Sequence, residues 1–121
     1  MNATALIVDD EPDIRILLGL LLEQAGVTTL TATSLASARE ALANHRFDVV
    51  FIDINLPDGL GYELIPEIRA AMPTARCITI SAADTEAVKA MAYGADAFVA
   101  KPFSRTHILH SMGLHTGPPQ G

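Results

Sequence analysis

The chain contains little that would staple, anchor or charge-steer it. It has one cysteine, Cys77, in 121 residues, so no internal disulfide can form, and its place inside the apolar run CITIS marks a buried, inert thiol. No apolar run approaches the roughly 20 residues that cross a bilayer, which points to a soluble protein with no membrane partner. The N-terminus runs straight into a strand-like segment, without the basic segment, apolar stretch and cleavage site of a secretory leader, and a cytoplasmic location is expected. Basic residues are scarce: 8 Lys and Arg against 14 Asp and Glu give a net charge of -6 with no basic cluster. Direct nucleic-acid binding by this segment is therefore not expected, and its partners should be proteins. There is no internal repeat and no low-complexity block before the tail.

What is present is an alternation of short β-branched apolar runs with longer segments of helical period, within the length of one ordinary domain. Strands are expected at Ala3–Val8, Val27–Thr31, Phe47–Ile52, Arg76–Ile80 and Ala97–Ala100. Helices are expected near Pro12–Ala25, Leu35–Asn44, Tyr62–Ala71, Thr85–Tyr93 and Arg105–Met112. DVVFI and RCITI are almost continuously apolar, as strands covered on both faces are. The expected fold is α/β: a doubly wound five-stranded parallel sheet of order 2-1-3-4-5 with helices on both faces. Pro12 opens the first helix, Gly26 follows it, Ser34 caps the second, and Gly94 closes the fourth, which Asp84 could cap. Pro66 should kink the third helix unless it lies in the first turn. The division is a domain over 1–113 and a Gly- and Pro-rich, linker-like tail over 114–121.

Four of the five strands end in a polar group: ALIV in Asp9-Asp10, VVFI in Asp53, CITI in Ser81 and AFVA in Lys101. In a parallel sheet all strand C-termini open on one edge, and ligands bind there where strand order reverses. If the order is 2-1-3-4-5, strands one and three are neighbours at that point, and Asp9, Asp10 and Asp53 come together there. Adjacent carboxylates beside an apolar strand repel and lose solvation, so they call for a cation. Clustered carboxylates suit Mg²⁺, a lysine and a serine suit phosphoryl oxygens, and an aspartate beside Mg²⁺ can accept a phosphoryl group.

IVDDEPDIR, FIDINLPDGLGYEL, ITISA and GADAFVAKPF, in that order and spacing, resemble the signature segments of response-regulator receiver domains of two-component signalling, over about residues 3 to 112. The resemblance implies that Asp53 accepts a phosphoryl group from a phosphohistidine on a histidine kinase or phosphotransfer protein. It implies that Asp10, Asp53 and the backbone carbonyl of Asn55 ligate Mg²⁺, with Asp9 assisting through water. Lys101 would pair with the phosphoryl oxygens, and Ser81 would hydrogen-bond one of them and shift inward, coupled to Phe98. Many members carry tyrosine at that place, so Phe98 would signal through packing alone. The family also implies a cis Lys101–Pro102 bond, and Asn55 and Ala83 flank the site where they would tune water access.

The domain is expected to switch a surface read by an output domain or protein, with a homodimer possible, and to catalyse only its own phosphorylation and dephosphorylation rather than act as an enzyme. The main rival is a pseudo-receiver that binds proteins without being phosphorylated; the intact acid, serine and lysine set speaks against it. A haloacid-dehalogenase-type phosphatase would carry an acid two residues after the nucleophile, where this chain has Asn55, and a flavin protein needs no acidic cluster facing the phosphate. The first helix, IRILLGLLLEQAG, sets Ile14, Leu17, Leu18 and Leu21 on a core stripe, with Ile16, Leu20 and Leu22 as surplus apolar surface for burial or for partner docking. Glu11 reads as a favourable charge at that helix's start. His107, His110 and His115 lack a completing carboxylate or cysteine and read as surface or helix residues rather than a metal site.

Overall fold

The computed structural model describes residues 3–113. The tail expected at 114–121, His115 included, lies outside the described residues. Among the described residues, seven strands and five α-helices follow one another: β1 Ala3–Val8, α1 Pro12–Gln24, β2 Val27–Ala32, α2 Leu35–Asn44, β3 Val49–Asp53, β4 Asn55–Leu56, β5 Gly59–Leu60, α3 Leu64–Ala71, β6 Arg76–Ser81, α4 Ala87–Ala92, β7 Ala97–Ala100 and α5 Arg105–Ser111. The main sheet is parallel, of order β2-β1-β3-β6-β7, which is the expected 2-1-3-4-5 once the small antiparallel β4–β5 hairpin is set apart.

Strand side chains alternate between two cores, which is why the central strands read as apolar at every position. Leu6, Val8, Val50, Ile52 and Cys77 face one cluster with Leu35 and Ala38 of α2, Leu64, Ile65 and Ile68 of α3, and Ala90 of α4. Ala5, Ile7, Val49, Phe51, Ile78 and Ile80 face the other, with Leu18 and Leu22 of α1 and Ile108 of α5. Cys77 is fully buried, as expected, and burial pushes its thiol up to about 11.

Helix ends follow the sequence at most places. Pro12 opens α1, Gly26 (φ 82°) and Gly94 (φ 101°) take left-handed conformations after α1 and α4, and the Ser34 side chain accepts from Ser37 N–H. The chain from Gly61 to Glu63 is a single 3₁₀ turn, so Pro66 falls in the first turn of α3, where its missing N–H costs no helical bond. The expected helix over Thr85–Tyr93 likewise begins as a 3₁₀ turn, Asp84–Glu86. Asp84 does not cap it: the residue before the turn is Ala83, and no side chain supplies the bond.

Helix α1 departs from the expected stripe. Leu18 and Leu22 are its buried residues, whereas Leu17 joins Ile16 and Leu20 at the surface. Leu18 and Leu22 are four apart and share a face, and burying each stabilises the fold by roughly 1.5–3 kcal/mol. With leucine or isoleucine on nearly every side, periodicity alone does not fix which stripe turns inward.

Candidate functional site

Register assembles the C-terminal edge of the sheet. Val8 pairs with Ile52, so the next residues, Asp9 and Asp53, leave neighbouring strands side by side. Ser81 pairs with Ala100, so Lys101 emerges beside it, and its backbone N–H donates to the Ser81 carbonyl at 2.8 Å. Carboxylate oxygens of Asp9, Asp10 and Asp53 lie within 4.8 Å of one another, with Asp9 and Asp53 buried and Asp10 exposed. β2, which lacks a polar residue at its end, lies at the far edge.

Lys101 reaches across this cluster with its side chain only 10% exposed. Its Nζ lies 3.0 Å from Asp9 Oδ2, 3.6 Å from Asp53 Oδ2 and 2.7 Å from Glu11 Oε1. Asp9 is fully buried: Oδ1 accepts from Glu11 N–H at 2.9 Å, while Oδ2 takes no hydrogen bond and lies 3.0 Å from the Lys101 ammonium. Asp53 accepts a long bond, 3.4 Å, from Asn55 N–H. Burial, and then the Asp9 charge, push the Asp53 carboxyl up to about 6, against the opposing pull of Lys101 and Asn55 N–H. Burial works against the Lys101 ammonium too, but Glu11 and Asp9 outweigh it and hold its pKa above the ordinary value. The site thus holds more buried negative charge than one lysine neutralises.

A hard divalent cation fits that deficit. Three carboxylates converge, and one buried oxygen among them has no hydrogen bond.

The remaining expected residues occupy distinct places. Ser81 is buried at the end of β6, its Oγ accepting from Ala83 N–H at 3.1 Å. Asn55 opens the β4–β5 hairpin, paired with Leu60. Phe98 lies opposite Thr79 on β7, partly buried against the core, and lines a groove of about 560 Å³ with Ala87, Pro102 and His107. The Lys101–Pro102 bond is cis, as the resemblance implied. His107 acts within its helix: its N–H donates to Ser104 Oγ and its Nδ1 accepts from Ser104 N–H, a reciprocal cap on α5.

Four contributors escape sequence reasoning. Glu11 is the shortest contact of Lys101, across 90 positions of sequence, and its side chain makes no capping bond to α1. Arg15 Nη1 donates to the Asp9 carbonyl at 2.9 Å. Asp58, in the turn between β4 and β5, accepts from Leu35 N–H at 2.8 Å and Ala36 N–H at 3.0 Å, and these bonds hold its carboxyl below the usual range. It caps α2 from 22 or more residues away, a partner no local capping pattern reveals. Gly61 packs on Asp53 itself: a Cβ there would overlap the Asp53 carbonyl oxygen and come within 2.6 Å of Ile52 Cγ2. At Gly61 the lack of a side chain lets backbone approach the Asp53 backbone.

The doubly wound parallel sheet thus gathers three acids and a lysine at its carboxyl edge. The model of the response regulator receiver domain matches residues 5–112, and the chain belongs to that family. It is 43% identical over 101 residues to the response regulator protein PilR of Pseudomonas aeruginosa, covering 81% of this chain and 22% of PilR. It is 38% identical over 106 residues to the transcriptional regulatory protein KdpE of Mycobacterium tuberculosis, covering 86% of this chain and 46% of KdpE. The chain therefore spans less than half the length of these curated relatives. Among solved structures it superposes on the chemotaxis response regulator CheY4 of Vibrio cholerae with a TM-score of 0.85 at 26% identity, over 93% of this chain and 98% of that one. A response regulator from Burkholderia pseudomallei, solved with a phosphorylated aspartic acid and a calcium ion, superposes with a TM-score of 0.83 at 26% identity, over 91% of this chain and 66% of that one.

Proposed function

We propose that this receiver domain takes a phosphoryl group on Asp53 from a histidine kinase or histidine phosphotransfer protein in a Mg²⁺-dependent reaction. A carboxylate oxygen of Asp53 attacks phosphorus, the bond from phosphorus to the donor breaks, and the donor departs with the electron pair. The observation that carries this reading is the convergence of Asp9, Asp10 and Asp53 oxygens within 4.8 Å, with Lys101 Nζ 3.6 Å from Asp53.

Asp10, Asp53 and the Asn55 carbonyl are the proposed metal ligands, with Asp9 acting through water. When bound, Mg²⁺ supplies positive charge between the acids and the incoming phosphoryl oxygens. Lys101 supplies a fixed charge for one of those oxygens and Ser81 a hydroxyl, so the chain contributes positioning and charge neutralisation around the one nucleophile, Asp53. Ser81 Oγ, now bonded to Ala83 N–H, has a donor to offer an oxygen on Asp53. Its shift, with repacking of Phe98 in the adjoining groove, is the proposed switch. The switched surface would serve an output domain or protein, or a second copy of the chain. A solved relative described as the beryllofluoride-activated NtrC4 receiver domain dimer, at 34% identity and a TM-score of 0.82, supports the last possibility.

We place the domain at 1–113 with 114–121 as a linker, in the cytoplasm, catalysing only its own phosphorylation and dephosphorylation. Among the described residues no helix is long and apolar enough to cross a membrane. Incubation with acetyl phosphate and Mg²⁺ should add one phosphoryl mass to the intact protein and none to Asp53→Asn. Folded protein that gains no mass would make the chain a protein-binding pseudo-receiver instead.

A further inference from the structure

Lys101 is held by a residue outside the acceptor's own set. An ammonium has three donors, and here three carboxylates surround it at unequal distances: Glu11 at 2.7 Å, Asp9 at 3.0 Å and Asp53 at 3.6 Å. The lysine is nearly buried, whereas the Glu11 side chain is 57% exposed, so the tightest contact lies on the solvent side of the pocket, away from the acceptor. The Glu11 backbone is fixed on both sides: its N–H donates to Asp9 Oδ1 at 2.9 Å and its carbonyl accepts from Arg15 N–H at 3.2 Å. Its side chain makes no capping bond to α1 and is left for the lysine.

We propose that Glu11 is a positioning residue for Lys101: it holds the ammonium at the rim of the pocket and yields it when a phosphoryl group reaches Asp53. The Glu11–Lys101 pair then sets the rate of phosphoryl uptake. The inference rests on the phosphoacceptor reading above. The physical reason is competition. A phosphoryl group on Asp53 offers Lys101 charged oxygens deeper in the pocket, but reaching them costs the contact with Glu11. A pair with one exposed partner is worth little, which makes it a brake rather than a lock.

The chain has two lysines, Lys89 and Lys101, so Lys89 is a built-in reference for amine reactivity. Wild type, Glu11→Gln and Glu11→Asp should be labelled with a trace of acetic anhydride, and the Lys101 to Lys89 ratio read by peptide mass spectrometry. The same proteins should be phosphorylated with acetyl phosphate and Mg²⁺ under single-exponential conditions. Glutamine removes the charge, whereas aspartate keeps it on a side chain one methylene shorter. Both variants should raise the Lys101 labelling ratio, and both should speed phosphorylation by about 1.4- to fivefold, the range an ion pair with an exposed partner spans.

Acceleration by glutamine alone would overturn the proposal, because it would mean that Glu11 only repels the anionic donor. An unchanged labelling ratio would overturn it by showing that Glu11 does not hold the lysine, and a raised ratio with unchanged rate would show that the hold does not govern uptake. Absence of phosphoryl addition to wild type would refute the phosphoacceptor reading itself and the rate claim with it, while the labelling ratio still reports whether Glu11 holds Lys101.

Discussion

Aspartates stand at both ends of the sheet, and the two ends treat them in opposite ways. At the end where the strands begin, Asp48 Oδ2 accepts from Thr4 N–H at 2.8 Å, and Asp96 Oδ2 accepts from Cys77 N–H at 2.8 Å and from Arg69 Nη2. Burial opposes the Asp96 charge, but Arg69 and the Cys77 N–H outweigh it and hold the carboxyl below its usual range. At the other end Asp9, Asp10 and Asp53 face one another, and Asp53 is pushed up to about 6. The same residue type is a strand-end clasp where backbone donors meet it and a destabilising group where other acids do. Among the described residues, a buried carboxylate oxygen with no hydrogen bond, beside two further acids, is the mark of a site built for something that arrives from outside.

The contrast can be broken most severely at the glycine packed on Asp53. Gly61→Ala should cost about 3 kcal/mol in urea unfolding, since the new Cβ meets the Asp53 backbone, which has no room to yield. Next, Asp53→Asn should stabilise the metal-free protein, on the order of 2 kcal/mol at pH 8, by removing a buried charge. The sign follows from the raised folded pKa: relative to the unfolded chain, the Asp53 contribution is most favourable below the ordinary value of 3.8 and is lost as pH rises through about 6. The advantage of the asparagine variant should therefore shrink as pH falls through 6 and vanish near 4. Asp96→Ala should do the reverse, destabilising by about 1–2 kcal/mol at pH 7 because it leaves the Cys77 N–H unbonded. Its depressed folded pKa places that contribution above the ordinary 3.8, to be lost as pH falls through the folded value. Smallest in stability is Leu20→Glu, on the exposed side of α1, which should stay within about 0.5 kcal/mol of wild type. If that face docks the kinase, the variant should slow phosphotransfer from it while sparing reaction with acetyl phosphate; equal loss in both assays would remove docking from the account.

The contrast also explains what was legible in the sequence. Strand order and the site edge could be read because four of the five apolar runs are followed at once by a polar residue, and register in a parallel sheet carries those residues to a common edge. Asp9, Asp10, Asp53 and Lys101 meet for this reason alone. Contacts made by side-chain reach rather than register were not legible. Glu11 looked like a helix-start charge because nothing local distinguishes it from one, yet it spans to Lys101. Asp58 lies in the Pro- and Gly-rich stretch NLPDGLG, where nothing local signals that it caps a helix earlier in the chain. On α1 the structure turns Leu22 inward and Leu17 outward, against the expected stripe, because the helix is apolar nearly all round and packing chooses the stripe.

The claim that the acids at one end await a cation, while those at the other are already satisfied, is tested most directly by following thermal unfolding at pH 8 as Mg²⁺ is added. A ligand that binds only the folded state raises its stability by RT ln(1 + [L]/Kd). The account predicts that the midpoint of the wild type climbs with Mg²⁺, that Asp96→Ala climbs by the same amount from a lower start, and that Asp53→Asn climbs much less. A wild-type midpoint indifferent to Mg²⁺, or an equal climb in Asp53→Asn, would contradict it.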